Sequence, residues 1–293
     1  MKPYDHKIFI LLDSVPPRAI KRWIKLHDQI IDYTAEHFSY FAYRRSKIME
    51  ELKTSLRDNS INFEFNNWVR VVSQEFSNTP LSTIGSYISF PGGRFNIGNI
   101  DPQRFPQFPA LYLASESATA FLEMKGLEPE ETHEGLTGSE LSVAGNFSHF
   151  QVQGELTNVL DLTNEEALRS FYNLIKDIQL PIYYIKKARE LKSSAMPPVK
   201  NLPELLSTIF APNWRLMPMQ FDVPANSQIL GQIAQSAGLE GILYPSIKTQ
   251  KTVLAIYPQN FSYSDSFIEI EGRVAKTVEH TRIDKNTFKN YLP

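Results

Sequence analysis

The chain has 293 residues, which is enough for one large domain or for a medium domain with an appendage. Apolar residues make up 42% and charged residues 21%, a globular composition that excludes an intrinsically disordered chain. The formal net charge of -2 leaves no overall basic field, so a direct nucleic-acid partner is not expected. Cysteine is absent, which excludes disulfides and thiolate chemistry and fits a reducing, cytoplasmic location.

The N-terminal region predicts helices and no targeting segment. Its apolar run extends only from Ile8 to Leu12 and lacks the small residues of a cleavage site, so no signal peptide is expected. No stretch is apolar enough to span a membrane, and no membrane partner is expected. Helical spacing from Ile20 to Ile31 and an amphipathic pattern from Phe41 to Leu56 predict a helical appendage over residues 1–60.

From Trp68 onward, short β-prone runs separated by glycine, proline and asparagine predict a sheet. The predicted strands in this part of the chain are 68–72, 84–90, 110–114, 150–156 and 158–162. Between them, Ser115 predicts the cap of a helix, and residues 126–139 predict a loop. Thr163 and Glu166 have the spacing of a capping box for a further helix.

The second half of the chain predicts an interruption followed by a return of order. Prolines recur through residues 177–222 and predict an insertion of loops and short helices. A helix is predicted to start at Asn226 or Ser227 and to stop near Gly238. Strands over 241–244 and 252–257 follow, and residues 272–293 predict a polar C-terminal tail. The main domain is therefore expected to span residues 61–271.

Common catalytic devices are missing from the sequence. The six histidines have no HxxxH or HxH spacing, so no metal site is predicted. A GxSxG elbow and a GxxxxGK[ST] phosphate loop are also absent, which argues against hydrolase triads and P-loop chemistry.

Three segments remain as candidates for chemistry. In the segment from Phe90 to Gly98, two glycines precede Arg94, and a guanidinium on a glycine turn suits a phosphate group. An isolated GGR is more often an ordinary turn with a solvated arginine. Tyr112 lies in a strand that leads into a helix carrying Glu123, which taken alone is a helix-surface residue. Ser246 follows a hydrophobic strand, as in many strand-ending turns.

Taken in order, these segments resemble the RES family, which is named for an arginine, a glutamate and a serine. The matching motifs are GGRFN at 92–96, YLA at 112–114 with AFLE at 120–123, DLT at 161–163 and GLEGILYPS at 238–246. The segment Trp68-Val-Arg70 also looks like the first strand of the family. The resemblance covers about residues 65–262, and the motifs together are far more specific than any one of them.

The resemblance implies an α+β fold similar to that of the ADP-ribosyltransferase toxins, with a split mixed β-sheet, surrounding helices and a cleft for NAD. It implies an NAD glycohydrolase or NAD phosphorylase that uses NAD as substrate and needs no cofactor. Known members are toxins of toxin–antitoxin pairs, restrained by a helix-turn-helix antitoxin of the Xre type. The N-terminal appendage and the proline-rich insertion depart from the family pattern and put regulation and partner identity in question.

The site residues follow from the same resemblance. Glu123 is expected to bind the ribose 2'-hydroxyl and stabilise positive charge, while Arg70 and Arg94 bind the two phosphates. Tyr112 is expected to stack on the nicotinamide, and Ser246 to donate to a phosphate or ribose oxygen. For Tyr112 the alternative is an ordinary core residue, and for Arg70 it is a surface ion pair.

Two other functions fit the same sequence. The first is transfer of ADP-ribose to a protein or small molecule, because the same cation-like intermediate accepts any nucleophile. The second is a non-catalytic, NAD-sensing interaction protein that binds a partner through its helical appendage. The sequence does not identify the antitoxin or immunity protein, does not decide whether the chain forms a homo-oligomer, and leaves open an export route that needs no signal peptide.

Overall fold

The computed structural model of the chain describes residues 17–125, 132–133, 136–137, 146–192 and 198–293. The predicted apolar run at 8–12 and most of the predicted loop at 126–139 lie outside these residues. Contacts divide the chain into two compact units, Met1–Lys47 with Ile178–Pro198 and Ile48–Asp177 with Val199–Pro293. None of the helices in the described ranges has the length and apolar character that crossing a membrane requires.

The elements of both units follow one another in chain order. The helices are α1 Pro17–Ser46, α2 Met49–Arg57, α3 Ile84–Ile88, α4 Ser117–Lys125, α5 Arg169–Ile175, α6 Ile182–Glu190, α7 Leu202–Ile209, α8 Leu216–Phe221 and α9 Asn226–Ser236. The strands are β1 Ser60–Ser73, β2 Leu111–Ala114, β3 Thr132–His133, β4 Leu136–Thr137, β5 Phe147–Asp161, β6 Gly241–Pro245, β7 Thr252–Ile256, β8 Phe267–Ile270 and β9 Arg282–Ile283.

The smaller unit is built from α1 and α6. Tyr33 on α1 is buried together with Ala188 and Leu191 at the end of α6. The Tyr40 hydroxyl donates to the backbone oxygen of Gln179 at 2.7 Å, which adds a polar contact to this small core. Helix α1 is longer than the sequence predicted, because it continues past Ile31 to Ser46 without a break.

The larger unit contains a mixed sheet in the order β1-β2-β7-β6-β5-β8-β9. β1 also pairs with β5, so strand pairing runs in a closed circuit through β1, β2, β7, β6 and β5. β5 and β6 are parallel, and the other pairs of this sheet are antiparallel. The predicted α+β class, with a mixed sheet and surrounding helices, is confirmed.

The two faces of the sheet are buried in separate cores. On β6, Ile242 and Tyr244 belong to one core and Leu243 to the other, as the two-residue period of a strand requires. Leucines of α2, α7 and α9 fill the first core, including the fully buried Leu52 and Leu56 of α2. Because α2 packs here, the predicted appendage of residues 1–60 does not coincide with the smaller unit.

The strand predicted at 84–90 is wrong, because residues Ile84–Ile88 form helix α3. Its backbone bonds locally, because the N–H groups of Ser86 and Tyr87 donate to the Thr83 carbonyl at 3.1 and 3.3 Å. The Ser86 hydroxyl donates to the backbone oxygen of Ala110 at 2.6 Å and accepts the Ala110 N–H at 3.0 Å. Both backbone groups that a neighbouring strand would pair are therefore already occupied.

Two further expectations differ from the structure. The capping box of Thr163 and Glu166 does not form, because the side chain of Asn164 accepts the Glu166 N–H and caps the turn. The segment predicted as a polar tail, 272–293, contributes β9 to the sheet and buries Tyr291. A strand as short as β9 is too short to show the alternation of apolar and polar residues by which a strand is predicted from sequence.

Candidate active site

The GGRFN segment forms a turn whose shape depends on its glycines. Gly92 has a φ angle of 93°, in the left-handed region that favours glycine. A Cβ atom on Gly93 would overlap the Tyr112 ring and hydroxyl, so a larger residue would have to displace that side chain. The Gly93 N–H donates to the side-chain oxygen of the fully buried Asn96 at 2.8 Å. These contacts hold the backbone on both sides of Arg94.

A second buried amide, Gln228 of α9, holds the same turn. Its side-chain nitrogen lies within hydrogen-bond distance of three carbonyl oxygens of the segment, those of Pro91 at 2.9 Å, Gly93 at 3.2 Å and Asn96 at 3.0 Å, which share its two protons. Its side-chain oxygen accepts the N–H of Ala225 at 3.0 Å. The Gln228 side chain is fully buried, so it satisfies these groups away from solvent.

Arg94 is a buried cation, with only 7% of its surface exposed. One of its terminal nitrogens donates to the backbone oxygens of Ile209 and Ala211, at 3.2 and 3.1 Å. Burial lowers the pKa of Arg94, although an arginine keeps its charge at neutral pH. Within the part of the chain that the structure describes, no carboxylate forms an ion pair with Arg94. The Glu123 carboxylate raises the pKa of Arg94 without forming an ion pair with it, so the buried cation can still take an anionic ligand.

Glu123 of α4 is held by Ser246, the first residue after β6. The fully buried Ser246 hydroxyl donates to a carboxylate oxygen of Glu123 at 2.6 Å. The same hydroxyl oxygen accepts the N–H groups of Lys248 at 3.2 Å and Thr249 at 3.4 Å. Because a serine hydroxyl has a single proton, that proton is committed to Glu123.

Another contact joins α4 to the turn that follows Ser246. The hydroxyls of the buried Thr119 and of Thr249 lie 2.9 Å apart. Within the turn, the Gln250 N–H donates to the Ser246 backbone oxygen at 2.9 Å. Helix and turn are thus joined at two points, which restricts the movement of Glu123.

Arg70 and Tyr112 are both tied to neighbouring backbone. Arg70 donates to the carbonyl oxygens of Tyr112 at 3.0 Å and Pro80 at 3.3 Å, and burial lowers its pKa to about 10. The Tyr112 hydroxyl accepts the Phe95 N–H at 3.0 Å and donates to the Asn96 side chain at 2.9 Å. Burial raises the pKa of Tyr112, which keeps this hydroxyl a neutral donor. Its ring is the part that remains for a ligand.

A cavity of about 300 Å³ brings most of the predicted site residues together. Arg70, Arg94, Tyr112 and Glu123 line it, whereas Ser246 contacts it through Glu123. The volume lies at the lower end of the range for small-molecule sites. The cavity thus presents guanidinium groups and one serine-held carboxylate to the same space.

Several lining residues were not predicted, among them Tyr244, Trp214 and Arg215. Tyr244 could have been found, because it precedes Ser246 by two residues and so faces the same side of β6. Burial raises the pKa of Tyr244 well above its usual value, so its hydroxyl is neutral. Trp214 and Arg215 gave no signal, because they fall in the segment that was predicted to be an insertion.

The DLT motif has a structural role. Asp161 accepts the Thr163 N–H at 2.9 Å and the Thr163 hydroxyl at 2.6 Å, which forms a turn at the end of β5. Neither residue lines the cavity. In the described ranges, no group of three or more histidine, aspartate or glutamate side chains is arranged to hold a metal ion.

The fold and this site define an α+β domain with an arginine and a serine-held glutamate on one cavity. The RES domain family model matches residues 67–273, and the chain belongs to the RES family. A chain of the M. tuberculosis MbcT-MbcA toxin-antitoxin complex is similar, with 16% identity and a TM-score of 0.41 over 83% of this chain and 97% of that chain. This likeness is too distant to inform function. No curated protein matches the sequence.

Proposed function

We propose that the chain is an enzyme that cleaves the bond between nicotinamide and ribose in NAD. One observation carries the proposal. The Glu123 carboxylate, held at 2.6 Å by Ser246, lines the same cavity as the buried cation Arg94. Family membership supports the choice of NAD, because the motifs that resemble the RES family include all of these residues.

The chemistry at the ribose requires a negative group. As the bond between C1' and the nicotinamide nitrogen breaks, its electron pair leaves with nicotinamide, which becomes neutral and needs no proton. Positive charge develops on the ribose, as in other glycosyl cleavages. A fixed carboxylate beside it stabilises the transition state more than the ground state. We assign this role to Glu123, with the ribose 2'-hydroxyl as a further hydrogen-bond partner.

The other residues would bind and position the substrate. Arg94 presents its remaining donors to the diphosphate, and the ring of Tyr112 offers a flat surface to the nicotinamide. Ser246 is better suited to positioning Glu123 than to contacting a phosphate, because its only proton already goes to the carboxylate. Arg70 lines the cavity, but two of its donors are occupied by carbonyl oxygens.

The direct test is incubation of the purified protein with NAD, followed by chromatography of the products. We expect release of nicotinamide with ADP-ribose when water is the nucleophile, or with ADP-ribose 1''-phosphate when phosphate is added. Radiolabel from NAD that appears on proteins of a lysate would instead identify an ADP-ribosyltransferase. Binding of NAD without release of nicotinamide under any of these conditions would contradict cleavage.

We also propose an antitoxin of the Xre type as partner, because the RES resemblance implies one. Expression of the chain alone in the cytoplasm is then expected to lower the cellular concentration of NAD and to arrest growth of the cells. Co-expression with the cognate antitoxin should restore both the NAD concentration and growth. Depletion of NAD that persists beside a stably bound partner would contradict the proposed restraint.

A further inference from the structure

Arg215 lies between α7 and α8 and lines the cavity from an exposed position. Its guanidinium carbon is 4.6 Å from the centroid of the Trp214 ring, a cation–π contact. Apart from this contact, the described residues offer the Arg215 side chain no hydrogen bond and no ion pair; its backbone oxygen accepts the Met219 N–H at 3.0 Å. All of its N–H donors are therefore accessible to a ligand.

Arg94 and Arg215 are placed around the same indole. The Arg94 guanidinium carbon is 5.7 Å from the centroid of the Trp214 ring, which is itself buried. Burial is the main cause of the lowered pKa of Arg94; Tyr244 and Glu123 act in the opposite direction, and the charge of Arg215 lowers the pKa further. The two like charges at the wall of one cavity repel each other, and an anionic ligand between them would relieve that repulsion.

The same segment of chain fixes both arginines. The carbonyl oxygens that hold Arg94 belong to Ile209, the last residue of α7, and to Ala211, just beyond it. Trp214 and Arg215 follow directly along the chain. The residues after α7 therefore build one end of the cavity, with a positive charge that no carboxylate in the described residues neutralises by an ion pair.

We propose that Arg215 and Arg94 together form the binding site for the diphosphate group of the ligand. Arg215 is a better partner for Arg94 than Arg70, because two Arg70 donors are directed to the carbonyls of Tyr112 and Pro80, whereas the described part of the chain engages no donor of the Arg215 guanidinium. The planar guanidinium groups can each donate two hydrogen bonds to one of two neighbouring phosphates, and their contacts with the Trp214 ring hold them in position. This inference rests on the proposed function for the identity of the substrate, NAD.

The test compares wild-type protein with Arg215→Ala and Arg215→Lys by calorimetric titration with ADP-ribose, which carries the diphosphate but cannot turn over. We expect Arg215→Ala to weaken binding about tenfold or more, and Arg215→Lys to recover part of the loss. Affinity of the alanine variant should also fall less steeply with added salt, because one charge contact is lost. In NAD cleavage, KM should rise while kcat changes little.

Arg104→Ala is the matched control. Arg104 is an exposed arginine that lies over the Phe105 ring at 5.4 Å; unlike Arg215 it pairs with a carboxylate, Asp101 at 2.6 Å, and it does not line the cavity. Equal ADP-ribose affinity in wild type, Arg215→Ala and Arg104→Ala overturns the inference, as does a wild type that does not bind ADP-ribose. If ADP-ribose binding depends on Arg215 but no NAD is cleaved, the diphosphate site stands and the proposed reaction fails. If NAD is cleaved with KM independent of Arg215, the reaction stands and the inference fails.

Discussion

Replacement of Glu123 by glutamine is expected to lower kcat for NAD cleavage by about a thousandfold, the loss found when one charge-stabilising group is removed from an active site. The change keeps the volume of the side chain, and the amide oxygen can still accept the Ser246 hydroxyl that lies at 2.6 Å. Charge is therefore the main property that differs. KM should change much less, because the carboxylate acts on charge that develops in the transition state.

The matched control is Glu116→Gln, at the start of the same helical region. Glu116 pairs with Lys251 at 2.8 Å, and both side chains are about half exposed, so the pair contributes little. Its kcat should stay within about twofold of wild type, since it does not line the cavity. Turnover by Glu123→Gln at a rate similar to that of Glu116→Gln would refute the assignment of Glu123.

Gln228→Ala is expected to lower the free energy of unfolding by about 3 kcal/mol, because several buried backbone groups lose their partner at once. The deleted amide serves the carbonyls of Pro91, Gly93 and Asn96 and the N–H of Ala225. Urea denaturation followed by circular dichroism measures the loss. Any activity that survives should show a raised KM, because the turn that carries Arg94 is no longer held.

Gln107→Ala serves as the control for this prediction. The half-buried Gln107 donates a single hydrogen bond, to the Tyr87 carbonyl at 2.9 Å, so its loss should cost no more than about 1 kcal/mol. A Gln228→Ala variant that is as stable as Gln107→Ala would show that water or relaxation satisfies the turn. In that case the hydrogen bonds of Gln228 would not be what holds the turn that carries Arg94.

The site was partly predictable because its motifs are local. The glycines before Arg94 predict a tight turn, and the YLA strand leads into the helix that carries Glu123. Each segment can therefore be predicted from its own sequence. Ser246 was readable as a strand-ending serine, and the alternation of β6 would also have pointed to Tyr244. These signals depend only on neighbours a few residues away.

The remaining parts of the site depend on contacts between distant segments. Gln228 contacts carbonyls more than a hundred residues earlier in the chain, and the contact of Ser246 with Glu123 spans a similar separation. The segment that carries Arg215 was not predicted to contribute to the site at all. Its high proline content led to the prediction of an insertion, whereas in the structure it forms one wall of the cavity. Proline reports a local break in helix or strand and carries no information about where the chain then packs.

By itself, the sequence determined the α+β class, most strands and helices of the larger unit and the RES family, because hydrophobic period and turn residues act over short distances. Tertiary structure decided the rest. It made a helix of residues 84–88, and it paired the C-terminal segment with the sheet. It also placed the Ser246 hydroxyl so that it donates to the Glu123 carboxylate, since only the folded chain decides which acceptor receives a serine proton.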